Sequence, residues 1–320
     1  MATAPPTKSA DNRQTRYQQA PPLDPSIVLP QPPLTTDLEQ AKRDLIEYGM
    51  CLLGNALSPD EVDLLATKLD QQAAAERSLG TLTPASAKTT KQGVSNMVNK
   101  GKVFLDLVER READELGTLL LGKDFLISSI TGMLFHGPTD EPQMLHRDQG
   151  QVPASAGFPA AINMFWLLDD VTPARGGTCV IPGSHRWPAE YQIKPPAREM
   201  ASQITAPAGA LFAFDARIWH GTGINREGHP RRNITTFFCL PWMRQQENWG
   251  VSCLQEVLDE ASDKLKVRLG LKTYGTHGGV NGTATDQGKS GLGNAYVVFP
   301  EFIIGENGTL HRLKRVTRES

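Results

Sequence analysis

The chain has 320 residues, 39% of them hydrophobic and 21% charged, with a formal net charge of −2. That is enough apolar chain for a sizeable core, in one large domain or two small ones. The near-neutral balance offers no basic field to a phosphate backbone, so nucleic acid is not an expected partner, and no run approaches the roughly 18 apolar residues that span a bilayer.

Residues 1–35 hold eight of the 23 prolines and a single aromatic, Tyr17. Such a stretch buries little and reads as a disordered or loosely draped arm. It lacks the apolar centre of a signal peptide. Lys8, Arg13 and Arg16 hint at a transit peptide, but the prolines oppose the amphipathic helix one needs. The final Arg318-Glu319-Ser320 is no peroxisomal address, and the cytoplasm is the expected location. Cys51, Cys179, Cys239 and Cys253 are widely spaced, which indicates neither a zinc ribbon nor a disulfide framework.

Order is expected from Thr36-Asp37-Leu38-Glu39, a capping-box pattern. Leu38, Ala41, Leu45 and Ile46 then keep helical spacing, and Gly49 is a stop. Met50-Cys51-Leu52-Leu53 reads as a short buried strand. Ser58-Pro59-Asp60-Glu61 is a second capping box with proline at the first helical position. A third helix is expected over about 103–121. From residue 125 the texture changes to short β-branched and aromatic runs between Gly and Pro turns, at 125–135, 161–168, 178–181, 209–214 and 233–240. Strands at that spacing suggest an all-β barrel or sandwich. Residues 251–269 read as helical, 274–294 are glycine-rich, and 294–304 suggest one last strand.

Chemistry concentrates in two strings. In Gln143-Met144-Leu145-His146-Arg147-Asp148, the histidine and aspartate are two apart and share one face of a strand. Alone, an H-x-D is weak evidence. The second string, Trp219-His220-Gly221-Thr222-Gly223-Ile224-Asn225, follows a strand-like run and ends in turn-forming glycines. Two histidines and a carboxylate can take one face of an octahedral iron and leave positions for substrate and dioxygen. They would equally suit a zinc hydrolase. A strand returning after the turn at 226–230 would bring Arg231 or Arg232 near the metal. The planar fork of arginine matches a carboxylate such as the far end of 2-oxoglutarate, which a zinc hydrolase does not need.

These elements resemble the phytanoyl-CoA dioxygenase family of Fe(II)/2-oxoglutarate oxygenases. The resemblance rests on His146/Asp148 and on Trp166-Leu167-Leu168-Asp169-Asp170. It continues through Gly176-Gly177-Thr178-Cys179-Val180-Ile181-Pro182-Gly183-Ser184-His185 to His220-Gly221-Thr222-Gly223-Ile224-Asn225, with Arg231 eleven residues beyond His220. It covers about 36–241. It implies an α+β chain whose catalytic part is a double-stranded β-helix, a jelly-roll or cupin-like barrel, with N-terminal flanking helices. On that reading the arm is 1–35, the oxygenase domain 36–243, and 244–320 an extension packed on the same domain with a glycine-rich lid.

The resemblance further implies iron ligation by His146, Asp148 and His220, and cofactors Fe(II), 2-oxoglutarate and O2. Arg231 would bind the distal carboxylate of 2-oxoglutarate. Arg232 is its rival, since one step of register exchanges their faces. Thr178 and Gln143 are further candidates for contacts to 2-oxoglutarate. His185 reads as structural, closing a turn, and His136 as a core or pocket-edge histidine. His229 and His277 are not assigned to the metal. Of Phe165 and Trp166, one must face the barrel interior.

The implied reaction couples decarboxylation of 2-oxoglutarate to oxidation of a second substrate, most commonly hydroxylation. Relatives also desaturate, epoxidise or rearrange. An acyl-CoA would favour a basic mouth, but Lys88, Lys91, Lys100 and Lys102 are scattered. Met133, Phe135, Met144, Leu145 and Val152 near the motifs suit a lipophilic small molecule. Loops at 80–102 and 274–293 are the expected lids. A homo-oligomer stays open, as do a cupin-like metal enzyme that does not use 2-oxoglutarate and a non-catalytic binding module on the same fold.

Overall fold

The computed structural model describes residues 20–80, 91–138, 141–275, 277–278, 302–304 and 310–312. Helix α1 (Leu38–Tyr48) starts at Asp37, whose carboxylate accepts from the Glu39 N–H, so Asp37 rather than Thr36 is its cap. It ends at Gly49 in the left-handed region, φ +73°. Strand β1 (Met50–Leu53) follows, fully buried. In α2 (Pro59–Ser78) Ser58 and Glu61 form the reciprocal capping box read from the sequence.

The expected 103–121 helix is two helices, α3 (Lys102–Glu109) and α4 (Arg111–Leu121). Arg110 between them is extended, at ψ 152°. Its guanidinium donates to Ala56 O and pairs with Glu61, which ties the break to the start of α2. The apolar period runs on through the break, so periodicity could not reveal it.

Two sheets pack against each other. The larger has six strands, in the order β1-β7-β4-β9-β3-β2. Its members are β2 (Lys91–Val94), β3 (Leu126–Phe135), β4 (Ala161–Leu167), β7 (Leu211–Asp215) and β9 (Arg231–Cys239). The smaller has the order β6-β5-β8, from β5 (Cys179–Val180), β6 (Ser202–Gln203) and β8 (His220–Gly221). All ladders are antiparallel.

The outer face of the larger sheet carries Ile130, Leu134, Met164, Trp166, Ile234 and Phe238. These join Leu45, Leu65, Leu69, Phe104 and Leu116 of the helices in the main core. Its inner face meets the smaller sheet through Leu52, Phe212, Phe214 and Val180. Strand alternation thus sorts Phe165 and Trp166 to opposite faces.

Glycine pairs set the spacing of the two backbones at the mouth of the smaller sheet. A Cβ on Gly223 would sit 2.6 Å from Gly177 O, and one on Gly177 2.6 Å from Ile204 O. The Gly-Gly and H-G-x-G strings are the two sides of this one close approach.

Three further departures from the sequence reading concern loops and ends. Within 80–102, Lys91–Val94 is an edge strand paired with β3, not a loop. Residues 81–90, like most of 274–293, lie outside the described residues. Residues 251–269 are three short helices, α5 (Trp249–Ser252), α6 (Gln255–Glu260) and α7 (Asp263–Arg268). Extended Cys253 and Ala261 separate them, and Ser262 caps the last. The described part of the arm is anchored at two points, with Leu23 buried beside Trp187 and Trp219 and Thr35 bonded to Leu52, while Ile27 and Val28 between them are exposed. Strands β10 (Phe302–Ile304) and β11 (Leu310–Arg312) pair with each other. Among the described residues, no helix is long and apolar enough to cross a membrane.

Candidate active site

His146 and His220 face each other across an antiparallel bridge. His146 N–H donates to His220 O at 2.9 Å, and His220 N–H to His146 O at 3.0 Å. Such a pair brings two side chains to one side of the ladder, and Asp148, two residues on, joins them. Asp148 Oδ1 lies 3.4 Å from His146 Nε2, and Oδ2 lies 3.3 Å from His220 Nε2. One ligand atom from each of the three lies within 4.8 Å of the others.

Each imidazole is oriented by its own backbone. His146 Nδ1 is 3.1 Å from Met144 O and His220 Nδ1 is 3.1 Å from Ile218 O. A carbonyl accepts only, so each Nδ1 donates to it and each Nε2 points at the shared centre. Asn163 on β4 donates through Nδ2 to Asp148 Oδ2. Burial would raise the Asp148 carboxyl, but the charge of His220 and hydrogen bonds from both histidines hold it well below the usual range. Its hydrogen bond with Asp148 outweighs burial and raises His146.

These residues line a cavity of about 230 Å³. The register explains its floor. On β9 the inward residues are Arg231, Asn233, Thr235 and Phe237, and opposite them on β3 stand Phe135, Met133, Thr131 and Ser129. Strand β4 adds Asn163 and Phe165, and β2 adds Lys91.

The register also separates the two arginines. Arg231 faces this cavity, is 2% exposed, and its buried Nε has no hydrogen-bond partner among the described residues. Its guanidinium carbon lies 4.2 Å from the centroid of the Phe135 ring. Burial pushes it down to about 10, so it remains a cation at neutral pH. Arg232 faces the other way. It is paired at 2.7 Å with Asp169 and 2.6 Å with Asp70.

Thr178 and Gln143 also line the cavity. Gln143 Oε1 accepts from the Thr222 N–H and hydroxyl. His136, His229 and His277 do not line it. Of the apolar residues expected around a substrate, Met133 and Phe135 do, while Met144, Leu145 and Val152 do not. Met144 is exposed, and Leu145 belongs to a separate cluster with Trp187 and Trp219.

His185 is fully buried on the back of α1. Its Nε2 is 3.2 Å from Ile46 O, and a Cβ on Gly49 would stand 2.3 Å from its Nδ1. The histidine thus packs on the bare Cα of the helix stop. Burial pushes its pKa down to about 4.

Sequence reasoning did not single out Asn163, Lys91 or Gln246. Asn163 was findable, being two residues from Phe165 on one strand face. Lys91 was hidden by the loop reading of its segment. Burial, and then the charge of Arg231, lowers its pKa. Gln246 reaches the cavity from the segment after β9, where its Oε1 accepts from Ser129. That segment is pinned where β3 bulges between Ile127 and Ser129, with Trp249 Nε1 and Gln245 Nε2 both donating to Ile127 O.

Relatives and solved structures agree with this architecture. The chain is 28% identical over 252 residues to "Dioxygenase af480" of Aspergillus fumigatus, covering 76% of this chain and 80% of that protein. It is 24% identical to "Dioxygenase swnH2" of Arthroderma benhamiae over 82% of this chain and 91% of the other. Among solved structures, the α-ketoglutarate-dependent epimerase SnoN matches with a TM-score of 0.52 at 20% identity, over 69% of this chain and 89% of its own. HygX of Streptomyces hygroscopicus, solved with nickel and 2-oxoglutarate, matches with a TM-score of 0.52 at 11% identity, over 64% and 88%. At such identities these likenesses establish the fold, a double-stranded β-helix with flanking helices. The sequence signature described as "Phytanoyl-CoA dioxygenase (PhyH)" matches residues 45–233. With more than half its length inside that match, the chain belongs to the phytanoyl-CoA dioxygenase family and is a non-haem dioxygenase that works with Fe(II), 2-oxoglutarate and O2.

Proposed function

We propose that this enzyme oxidises a C–H bond of an organic small molecule, in the simplest case by hydroxylation. His146, Asp148 and His220 would hold Fe(II), and Arg231 would receive the distal carboxylate of 2-oxoglutarate. One observation carries the reading. A two-histidine, one-carboxylate set and a buried cation without a hydrogen-bond partner at its Nε open onto the same cavity. A buried guanidinium edge is costly unless an anion satisfies it, and the donor set suits a divalent iron with open positions.

When bound, iron, 2-oxoglutarate and O2 supply a C–H oxidation coupled to release of succinate and CO2. The protein's share is positional. Met144 O and Ile218 O fix the histidine tautomers. Asn163 holds one Asp148 oxygen in place. Arg231, with Lys91 near the same Phe135 ring, makes one end of the cavity cationic. Thr178 and the Gln143 amide lie where they could bond the same cosubstrate.

The substrate end lies toward Ser129, Phe237 and Gln246, three strand rows from Arg231. Phe165 and Phe237 supply apolar surface there, and Ser129, Thr131, Thr235 and Gln246 supply hydrogen-bonding groups. This supports a lipophilic molecule that also carries polar groups. A free compound is favoured over an acyl-CoA. Lys100 is paired with Glu76 and Lys102 with Asp106, and neither lines the cavity.

The test is an anaerobic titration of the metal-free protein with Fe(II) and 2-oxoglutarate, followed by the weak visible charge-transfer band of the chelate. A band that needs both components supports the assignment. Metal uptake without a band would overturn the role given to Arg231. Oxygen-dependent succinate release across a panel of amphiphilic compounds then identifies the substrate.

A further inference from the structure

The segments bearing the triad have a reverse side. His146 and Asp148 face the iron cavity, so Arg147 between them faces away. Arg147 and Arg217, the latter three residues before His220, line a second cavity of about 300 Å³. The turn after the P-G-S motif forms another wall, with His185, Arg186 and Trp187, and residues 153–157 a third. None of the lining residues is Asp or Glu.

The three arginines differ in their partners. Arg217 is paired at 2.6 Å with the buried Asp215. Arg186 is paired at 2.7 Å with Glu47 and also donates to Pro21 O. Arg147 is half-buried, and among the described residues it has no carboxylate or carbonyl partner. Its guanidinium carbon lies 5.5 Å from the centroid of the Trp219 ring. Its planar fork of donors thus lines a cavity with no acidic side chain among the described residues around it. Beside them Trp187, 5% exposed, keeps its indole N–H buried with no hydrogen-bond partner among the described residues.

We propose that this cavity is a second ligand site, taking a small oxyanion, a phosphate or carboxylate group, on the guanidinium of Arg147. An anion there sits behind the metal site and one residue from two of its three side chains. It would brace the 146–148 segment against the turn at 185–187.

The experiment uses the full chain, free of metal. Inorganic phosphate and acetate are titrated by calorimetry against sodium chloride at matched ionic strength. The expected result is saturable binding of at least one oxyanion and none of chloride. Arg147→Gln should weaken it about tenfold or more, the loss of one charge-assisted pair. Ala154→Glu, which sets a carboxylate in the wall and leaves every arginine in place, should also remove it. Arg231→Ala should keep the Arg147-dependent binding, which separates this site from the iron cavity. The proposal is overturned if neither oxyanion saturates, if both cavity variants bind like wild type, or if Arg231→Ala alone abolishes binding.

Discussion

Replacing Arg231 by alanine tests the functional reading most sharply, because the neighbouring Arg232 is its built-in control. Arg231 is 2% exposed, lines the iron cavity and stacks on Phe135. Taking one partner from a buried, hydrogen-bonded ion pair costs about 3–5 kcal/mol, since the other charge stays desolvated. If 2-oxoglutarate is that partner, its affinity should fall by roughly two to four orders of magnitude. Metal uptake should hardly change, since Arg231 touches none of the triad. Arg232→Ala breaks pairs with Asp169 and Asp70 on the outer face. It should lower stability and leave cosubstrate binding alone. The assay is calorimetric titration of 2-oxoglutarate into anaerobic Fe(II)-loaded protein, with urea unfolding of both variants. Wild-type affinity in Arg231→Ala would refute the reasoning, as would a large affinity loss in Arg232→Ala.

Asn163→Ala should weaken Fe(II) binding about 10–100-fold, the usual cost of losing a group that orients a metal-ligating carboxylate; a competition titration with a metal indicator measures it. His146→Ala should abolish iron-dependent turnover while leaving the circular dichroism spectrum intact, and full retained activity would sink the ligand assignment. Gly49→Ala should cost more than the about 1–2 kcal/mol of a left-handed alanine, because the new Cβ meets His185 at 2.3 Å. Gly80→Ala, also left-handed but in open space, should show the conformational cost alone, so the difference in urea midpoints isolates the histidine contact. His185 resists protonation down to about 4 in the folded chain, against an ordinary value of 6.5. The unfolded chain therefore binds the extra proton between those values, and stability falls as pH drops through that window. The loss should be about 2 kcal/mol between pH 7.5 and 5. His185→Gln should flatten that slope; an unchanged slope would mean the histidine is not held neutral.

How much of this was legible depends on how local the cause is. Helix stops and caps were read closely because single residues set them, as at Gly49 and at Ser58 with Glu61. The Arg110 break was not, since a side chain reaching Ala56 and Glu61 holds it rather than any local signal. Strand β2 was missed for a similar reason. Lys91-Gln92-Gly93-Val94 has no strand-like texture, and its pairing with β3 supplies the order. Gln246 enters the cavity only because a bulge in β3 anchors the chain after β9, a relation between distant segments.

The site itself follows from period-two alternation applied three times. Arg231 turns inward and Arg232 outward to Asp169. Phe165 faces the cavity while Trp166 packs in the core and donates to Thr236. His146 and Asp148 face the metal position while Arg147 faces the second cavity. A sequence gives the period but not its phase, and this is why strand alternation by itself leaves Arg232 a rival to Arg231. The phase is set by the ladder, through Phe135 opposite Arg231 and Leu134 opposite Arg232. Leu134 is a core residue and Phe135 a cavity residue. Slipping β9 by one position would put the charge of Arg231 on the face of Leu134 and turn Ile234 and Phe238 into the cavity. The apolar pattern of β9 therefore selects the arginine, and the chemistry of the cavity is a consequence of how the core packs.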